Sequence, residues 1–387
     1  MNFDQGSANP HTMNILALEP FLGGSHKAFL EGLTQHSRHN IMSVTMSDQH
    51  WKWRMSGGSV TLAEKTKAFT QPVDVILASS MTNLPAFIAL TNPRFAETPV
   101  IMYMHENQLT QPLPENEERD LTFCYINYLS VLVADKVVFN SQFHLQSYID
   151  ALPDFLSRFP DYNQTESIKS VVKKSSVLHP GLDLDALDPQ DEIKKPNKKP
   201  IIVWNQRWSF DKDPDKFFRI INRLDDSDCD FDLILVGDYK HDRSDIFEKA
   251  RDRYSKRIIH YGYVQDVQTY SGLLRRGDIV ISTAQHEFFC AAIMEAVFCG
   301  CHPLLPTGLT YPEVIPENLR TPLLHGSVFY DSEDDLFYIL RNFLLGKEKL
   351  LPKKTLKGIN KHLDWKQAVI RYDDLFDQVK VNNSIGA

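Results

Sequence analysis

The sequence predicts an α/β protein built of two Rossmann-like domains, and three observations carry that prediction. Short apolar, β-branched runs alternate with helical patterns twice along the chain, as in parallel sheets wound with helices. A polar, basic, proline-punctuated stretch, Glu192 to Pro200, separates the two series and reads as a linker. The length of 387 residues exceeds one ordinary core and accommodates two.

Composition narrows the class. A hydrophobic content of 42% with 24% charged residues belongs to a globular chain with a sizeable core. The formal net charge of −8 gives no general attraction for polyanions, so a nucleic-acid partner needs a local basic patch. No apolar run approaches a membrane span, and residues 1–12 lack the charged start and apolar stretch of a signal peptide. Those twelve residues read as a disordered leader. The five cysteines, Cys124, Cys229, Cys290, Cys299 and Cys301, form no CxxC pair. An odd count without a framework points to reduced thiols in a cytoplasmic protein, and no metal-ligand spacing is present.

The first domain is expected over residues 13–185. Met13 to Glu19 reads as a buried strand running into Pro20-Phe21-Leu22-Gly23-Gly24-Ser25-His26. The Gly23-Gly24 turn lets backbone approach a ligand, and Ser25 is placed to cap a helix reaching about Gln35. The turn is not GxGxxG, which argues against a nicotinamide dehydrogenase. Further strands are expected at Ile41–Met46, Val73–Ser79, Val100–His105, Lys136–Asn140 and Ser176–His179. Ligands on such sheets lie beyond the carboxyl ends of strands. Polar residues gather there: Glu19, Ser79, Ser80, His105, Glu106, Asn107, Gln108, Asn140 and Ser141. His50-Trp51-Lys52-Trp53-Arg54 combines aromatics with cations in what reads as a polar loop, able to stack on a base or sugar or to pack under the loop.

After a linker over 186–200, the second domain is expected over 201–345. Its strands are placed at Ile201–Asn205, Phe231–Val236, Ile258–Tyr261, Ile279–Ser282 and Pro303–Leu305. Helices are placed near Pro214–Leu224, Ile246–Tyr254, Val267–Arg275, Phe288–Phe298 and Asp335–Leu345. The first strand leads to Arg207 and Lys212, two cations on a strand-to-helix loop that can clamp a diphosphate and neutralise a leaving phosphate. Asp238 follows Gly237 at the next strand end, a common place for a nucleotide-edge contact. Glu287 precedes the helix near Phe288, and Glu295 stands on it, about two turns along. A helix N-terminus holds phosphate, while carboxylates accept hydrogen bonds from sugar and ribose hydroxyls. Together these features fit a nucleotide-sugar. The segment 346–387 opens with a lysine run, Lys347 to Lys361, that is either a solvated face or a phosphate footprint. It closes with an amphipathic helix from Asp364, marked by Ala368, Val369, Tyr372, Leu375, Phe376 and Val379.

With Arg207, Lys212 and the Glu287-to-Glu295 spacing in one half, the chain resembles the retaining GT-B glycosyltransferases of family 4. Gly23-Gly24, strand-end His105, the turn His179-Pro180-Gly181-Leu182-Asp183 and the closing Trp365 helix also match, over about residues 13–380. Leu18-Glu19-Pro20-Phe21-Leu22-Gly23-Gly24-Ser25-His26, Trp51-Lys52-Trp53-Arg54, His105-Glu106-Asn107-Gln108-Leu109 and His286-Glu287-Phe288-Phe289 look like the glycosyltransferase-like domain-containing protein family, that of the tRNA-queuosine α-mannosyltransferases. Cys290 departs from the Gly expected there, a side chain that could crowd the donor sugar.

The resemblance implies a GT-B fold: two Rossmann-like domains with a cleft between them and a C-terminal helix returning to the first. It implies GDP-mannose as donor, queuosine in tRNA-Asp as acceptor, and no metal or other cofactor. Arg207 and Lys212 would hold the diphosphate and stabilise the leaving group, Glu295 the ribose, and Glu287 with the amides of Phe288, Phe289 and Cys290 the sugar. Gly23 and Gly24 would admit the phosphates, and His105 would touch the sugar near the reacting carbon. The acceptor would pass His26, Trp51, Trp53, Arg54, Glu106, Asn107, Gln108, Asn140 and Ser141. A retaining transferase acting on a lipid or polysaccharide, and an idle carbohydrate- or tRNA-binding protein, are the alternatives. Intact Arg207, Lys212, Glu287 and His105 argue against the idle one.

Overall fold

The computed structural model describes residues 12–386 apart from 115, 189–196, 238–244 and 322–325. The expected leader up to residue 11, the centre of the linker, and Asp238 lie outside the described residues. In the first half lie β1 (Asn14–Leu22), β2 (Asn40–Ser47), β3 (Val75–Ser79), β4 (Val100–Met104), β5 (Lys136–Phe139) and β6 (Ser175–Val177). They form one parallel sheet in the order β2-β1-β3-β4-β5-β6. Val-Ile-Leu-Ala-Ser and Val-Ile-Met-Tyr-Met, the whole of β3 and β4, are buried. A strand apolar on both faces needs helices on both, which the crossovers supply.

The second half contributes β7 (Ile201–Trp204), β8 (Asp232–Val236), β9 (Ile258–Gly262), β10 (Ile279–Ile281), β11 (His302–Pro306) and β12 (Phe329–Tyr330). Their order is β12-β11-β10-β7-β8-β9, all parallel. Renumbered within this half, that is the doubly wound order in which the strand sequence reverses between the first and fourth strands. The reversal here falls between β7 and β10, and in the first sheet between β1 and β3. Ligands bind outside the strand ends at such switch points. The loops found there carry Gly23, Arg207, Lys212 and Glu287, and His105 follows the neighbouring β4.

Three expectations on local structure are corrected. The first helix spans Gly24–His36 with Gly23 at the cap position, so Ser25 caps nothing. Gly24 takes a φ of +49°, which glycine adopts without strain. His50 to Arg54 is no loop: Trp51–Thr66 is a helix. The paired glycines inside it permit close packing, for a Cβ on Gly58 would sit 3.2 Å from Pro20. The helix expected from Phe288 begins at Ala291 and ends at Phe298. The two-residue β12, paired with Leu305 and Pro306, was too short to read from sequence.

The chain returns to its first half at the end. Leu182 donates to the Leu363 carbonyl at 2.7 Å, and Trp365 donates back to the Leu182 carbonyl at 3.1 Å. The helix Trp365–Gly386 then lays Trp365, Ala368, Tyr372 and Phe376 on Ile15, Val75, Ile101 and Tyr103 of the first sheet. Each large side chain so buried contributes about 1.5–3 kcal/mol. Trp365 needs glycine on both sides, because a Cβ at Gly32 or Gly181 would come within 2.0 or 2.2 Å of its ring.

Candidate active site

The N-terminal wall is an ion cluster at the ends of β1 and β4. His26, buried on the first helix, places Nδ1 2.9 Å from Glu19 Oε2 and Nε2 2.8 Å from Glu106 Oε2. Burial alone would lower the pKa of His26, but the two carboxylates outweigh it and hold the pKa well above 6.5. Glu106 also accepts from Ser80 Oγ at 2.7 Å, and Glu19 accepts from the Phe21 amide at 2.8 Å. His105 lies over the His26 ring at 4.1 Å. Burial first, then the charge of His26, keeps His105 neutral, its pKa well below 6.5. Glu19, His26 and His105 bring possible ligand atoms within 4.8 Å of one another. Both nitrogens of His26 are already turned to carboxylates, so the group is built as an ion cluster.

Lys212 is the centre of the C-terminal wall. A 3-10 turn, Phe210–Lys212, follows β7 and buries Asp211 and Lys212. The Lys212 ammonium donates to Glu287 Oε2 at 3.0 Å and to the His286 carbonyl at 2.9 Å, and lies 3.0 Å from Asp211 Oδ2. Its three protons therefore have three partners. Arg207, two-thirds exposed, lies 3.6 Å from Asp211 and keeps its fork open to the cleft. Burial opposes the charge of Asp211, yet Lys212 and Arg207 still draw its pKa below the usual range. The helix Ala291–Phe298 has no side-chain cap, so its first amides are free for an anion. On that helix Glu295 accepts from Tyr270 at 2.8 Å, and burial raises its pKa to about 7. Asn205 steadies this pair, donating to Tyr270 Oη at 3.1 Å and to the Ala292 carbonyl at 2.6 Å.

The two walls meet along a seam. Glu313, from the second half, accepts from the amides of Gln142 and Phe143 at 2.7 Å each. These are the first amides of the helix Gln142–Ser157 in the other half. Phe288 stacks on His144 at 3.8 Å, and Phe289 packs on His179 at 5.6 Å. The seam brings Arg207 close enough to Glu106 for its charge to favour the ionised carboxylate.

Several expected acceptor contacts are corrected by burial. Asn107 is fully buried and spends its amide on Thr110. Asn140 bonds the His105 carbonyl and His144, while Ser141 caps the helix at His144. These three hold the wall up and do not form its surface. Gln108 is partly open, with its amide bonded to Asn127. Arg54 is tied to Ser47, and Trp51 packs on Phe123 at 5.1 Å, which leaves Trp53 the most exposed of that group. Cys290 is buried in the second-half core and is not turned into the cleft. Sequence reasoning missed Asp211, Tyr270 and Glu313. Asp211 adjoins the basic loop and could have been found there; nothing local marks the other two.

Comparison with known proteins decides the family. A model described as tRNA-queuosine alpha-mannosyltransferase N-terminal matches residues 14–182, and one described as glycosyl transferases group 1 matches 188–348. The tRNA-queuosine alpha-mannosyltransferase of Drosophila melanogaster is 34% identical over 379 residues, covering 92% of this chain and 98% of its own. The chain belongs to the tRNA-queuosine alpha-mannosyltransferase family. It is thus a glycosyltransferase, with the group 1 module carrying Arg207, Lys212, Glu287 and Glu295. Solved structures share the fold. Sucrose-phosphate synthase from Thermosynechococcus elongatus has a TM-score of 0.69 at 12% identity, covering 95% of this chain and all of that one. The starch synthase IV catalytic domain from Arabidopsis thaliana has a TM-score of 0.67 at 10% identity, covering 96% of this chain and all of that one. The GT-B architecture expected of this family is present, tail helix included. Among the described residues, no helix is long and apolar enough to cross a membrane.

Proposed function

We propose that this protein transfers mannose, with retention, from GDP-mannose to the cyclopentenediol of queuosine in the anticodon loop of tRNA-Asp, in the cytoplasm. The family match over residues 14–182 carries the reading, because the model that matches the acceptor-side half is described as specific to tRNA-queuosine alpha-mannosyltransferase, whereas the second half matches the general group 1 model. Site geometry agrees with a nucleotide-sugar donor. In this reading Arg207, Lys212 and the first amides of the helix Ala291–Phe298 hold the diphosphate, and Glu295 holds the ribose. Glu287 is released toward the sugar once phosphate takes its place on Lys212. His105, neutral, donates or accepts a hydrogen bond at a sugar hydroxyl without adding a cation beside the reacting carbon.

The acceptor hydroxyl attacks the anomeric carbon from the face the phosphate leaves. The new carbon–oxygen bond forms as the bond to phosphate breaks, and the hydroxyl proton passes to the departing phosphate oxygen. Arg207 and Lys212 stabilise the charge on that phosphate. The scheme routes no step through a metal, so turnover should survive EDTA. Incubating the protein with queuosine-containing tRNA and GDP-mannose should give a nucleoside heavier by one hexose. Transfer to a lipid or polysaccharide but to no tRNA would overturn the reading.

A further inference from the structure

Two buried residues of the N-terminal wall, Glu19 and His26, are paired at 2.9 Å at the edge of the cleft and have no part in holding the donor. Their geometry runs in one direction. Glu19 is fixed by the Phe21 amide and by His26 Nδ1, and His26 Nε2 is fixed on Glu106. Side-chain exposure rises along the line, from 5% at Glu19 and 7% at His26 to 22% at Glu106. An imidazole with a carboxylate at each nitrogen carries both protons. The array is a carboxylate–imidazolium–carboxylate line whose outer end opens on the cleft.

We propose that Glu106 grips the hydroxyl of the glycosyl acceptor, with Glu19 and His26 as positioning residues that fix its orientation and charge. The proposal rests on the reading above, in that the reacting hydroxyl enters past this wall. One oxygen of Glu106 receives Ser80 and the other receives His26, and each keeps a second lone-pair direction. Two adjacent hydroxyls of a polyol can therefore be held at once. Arg207 acts weakly on Glu106 from the side of the phosphate-binding cations. Glu106 is not the proton acceptor. His26, Ser80 and Arg207 outweigh burial and hold its pKa below the ordinary carboxylate value, which leaves the proton to the departing phosphate. The groups facing His26 are Glu19 from β1, Glu106 and neutral His105 from the end of β4, and the Phe21 ring edge.

The test compares wild type with Glu106→Gln, Glu106→Ala and Glu19→Gln in three measurements. Calorimetric binding of GDP monitors the fold and the donor site, and should stay within about twofold, since neither residue touches the nucleotide. Hydrolysis of the nucleotide-sugar, in which water stands where the acceptor hydroxyl would, needs no tRNA. It should fall about 10²-fold in both Glu106 variants, as for a misplaced reacting group. Transfer to queuosine-containing tRNA should fall at least as far. In Glu19→Gln, His26 loses one of its two carboxylates. The alkaline limb of the rate profile should then move down by about one pH unit or more. A purely structural Glu19 would lower the rate without moving that limb. Hydrolysis and transfer near wild-type rates in both Glu106 variants would overturn the proposal, as would an unmoved limb in Glu19→Gln. If the wild type hydrolyses the donor but glycosylates no tRNA, the functional reading falls, and the hydrolysis rates still decide the role of Glu106.

Discussion

Removing the Lys212 ammonium should injure stability and catalysis together, whereas removing the Arg207 guanidinium should injure catalysis alone. The two cations share an assigned task, but their surroundings differ. Lys212 is 6% exposed, and its three protons go to Glu287, the His286 carbonyl and Asp211. Lys212→Ala leaves Asp211 and Glu287 without their common cation. Breaking a buried ion pair from one side costs about 3–5 kcal/mol. Arg207 is 66% exposed on its side chain and stands 3.6 Å from Asp211, a pairing worth about 0–1 kcal/mol. Both variants should lose about 10²–10³-fold in turnover, the cost of one lost donor to developing charge. Denaturant unfolding of the two variants beside wild type separates the effects. The pH dependence supplies a sign. In wild type the pKa of Asp211 is depressed, so its contribution to stability is present above its unfolded pKa and lost as pH falls through the folded one. In Lys212→Ala the buried Asp211 keeps only the exposed Arg207 as a cation, so protonation relieves its carboxylate and the stability deficit should shrink as pH falls from about 7.5 toward about 5. Equal stability loss in the two variants, or wild-type turnover in Lys212→Ala, would refute this reasoning.

Three further outcomes are expected. Glu295, raised to about 7 by burial, gains its charge near neutrality. GDP affinity measured by calorimetry should therefore rise from about pH 6 to 8, and Glu295→Gln should flatten the rise. Protonation of that buried carboxyl favours the folded state, so wild-type stability should decline from about pH 4.5 to about pH 7 and level off above it. Trp53→Ala should weaken tRNA binding by about 1–3 kcal/mol, the scale of one stacking partner, with donor hydrolysis unchanged in a coupled phosphate assay. Glu313→Ala frees two helix amides at the seam between the halves. The cap contribution of about 0.5–2 kcal/mol should be lost, and small-angle scattering should report a wider cleft.

Much of the fold was legible because its signals are local. Val75–Ser79 and Val100–Met104 are unbroken apolar runs, and only strands covered on both faces have reason to be so. The site cations were legible for the same reason: Arg207 and Lys212 lie just past such a strand. What escaped was tertiary. Gly57 and Gly58 resemble a turn, yet they lie inside a helix, and the missing side chain of Gly58 lets it close on Pro20. Phe288 shares a helical periodicity with the residues after it but is held outside the helix by its stack on His144, far earlier in the chain. Asn107, Asn140 and Ser141 stand at strand ends like true ligand contacts, and only the bonds they make to Thr110, His105 and His144 show them turned inward. Lys174 at the end of its helix is likewise committed to the carbonyls of Leu132 and Ala134.

The central claim is transfer of a hexose to tRNA, and mass analysis of tRNA nucleosides tests it most directly. Purified protein would be incubated with tRNA carrying queuosine, and with tRNA lacking it, in the presence of each of several nucleotide-sugars. The account predicts one nucleoside, queuosine, gaining one hexose with GDP-mannose, and no gain in tRNA lacking queuosine. Unmodified queuosine with every donor, while a donor is still hydrolysed, would contradict it.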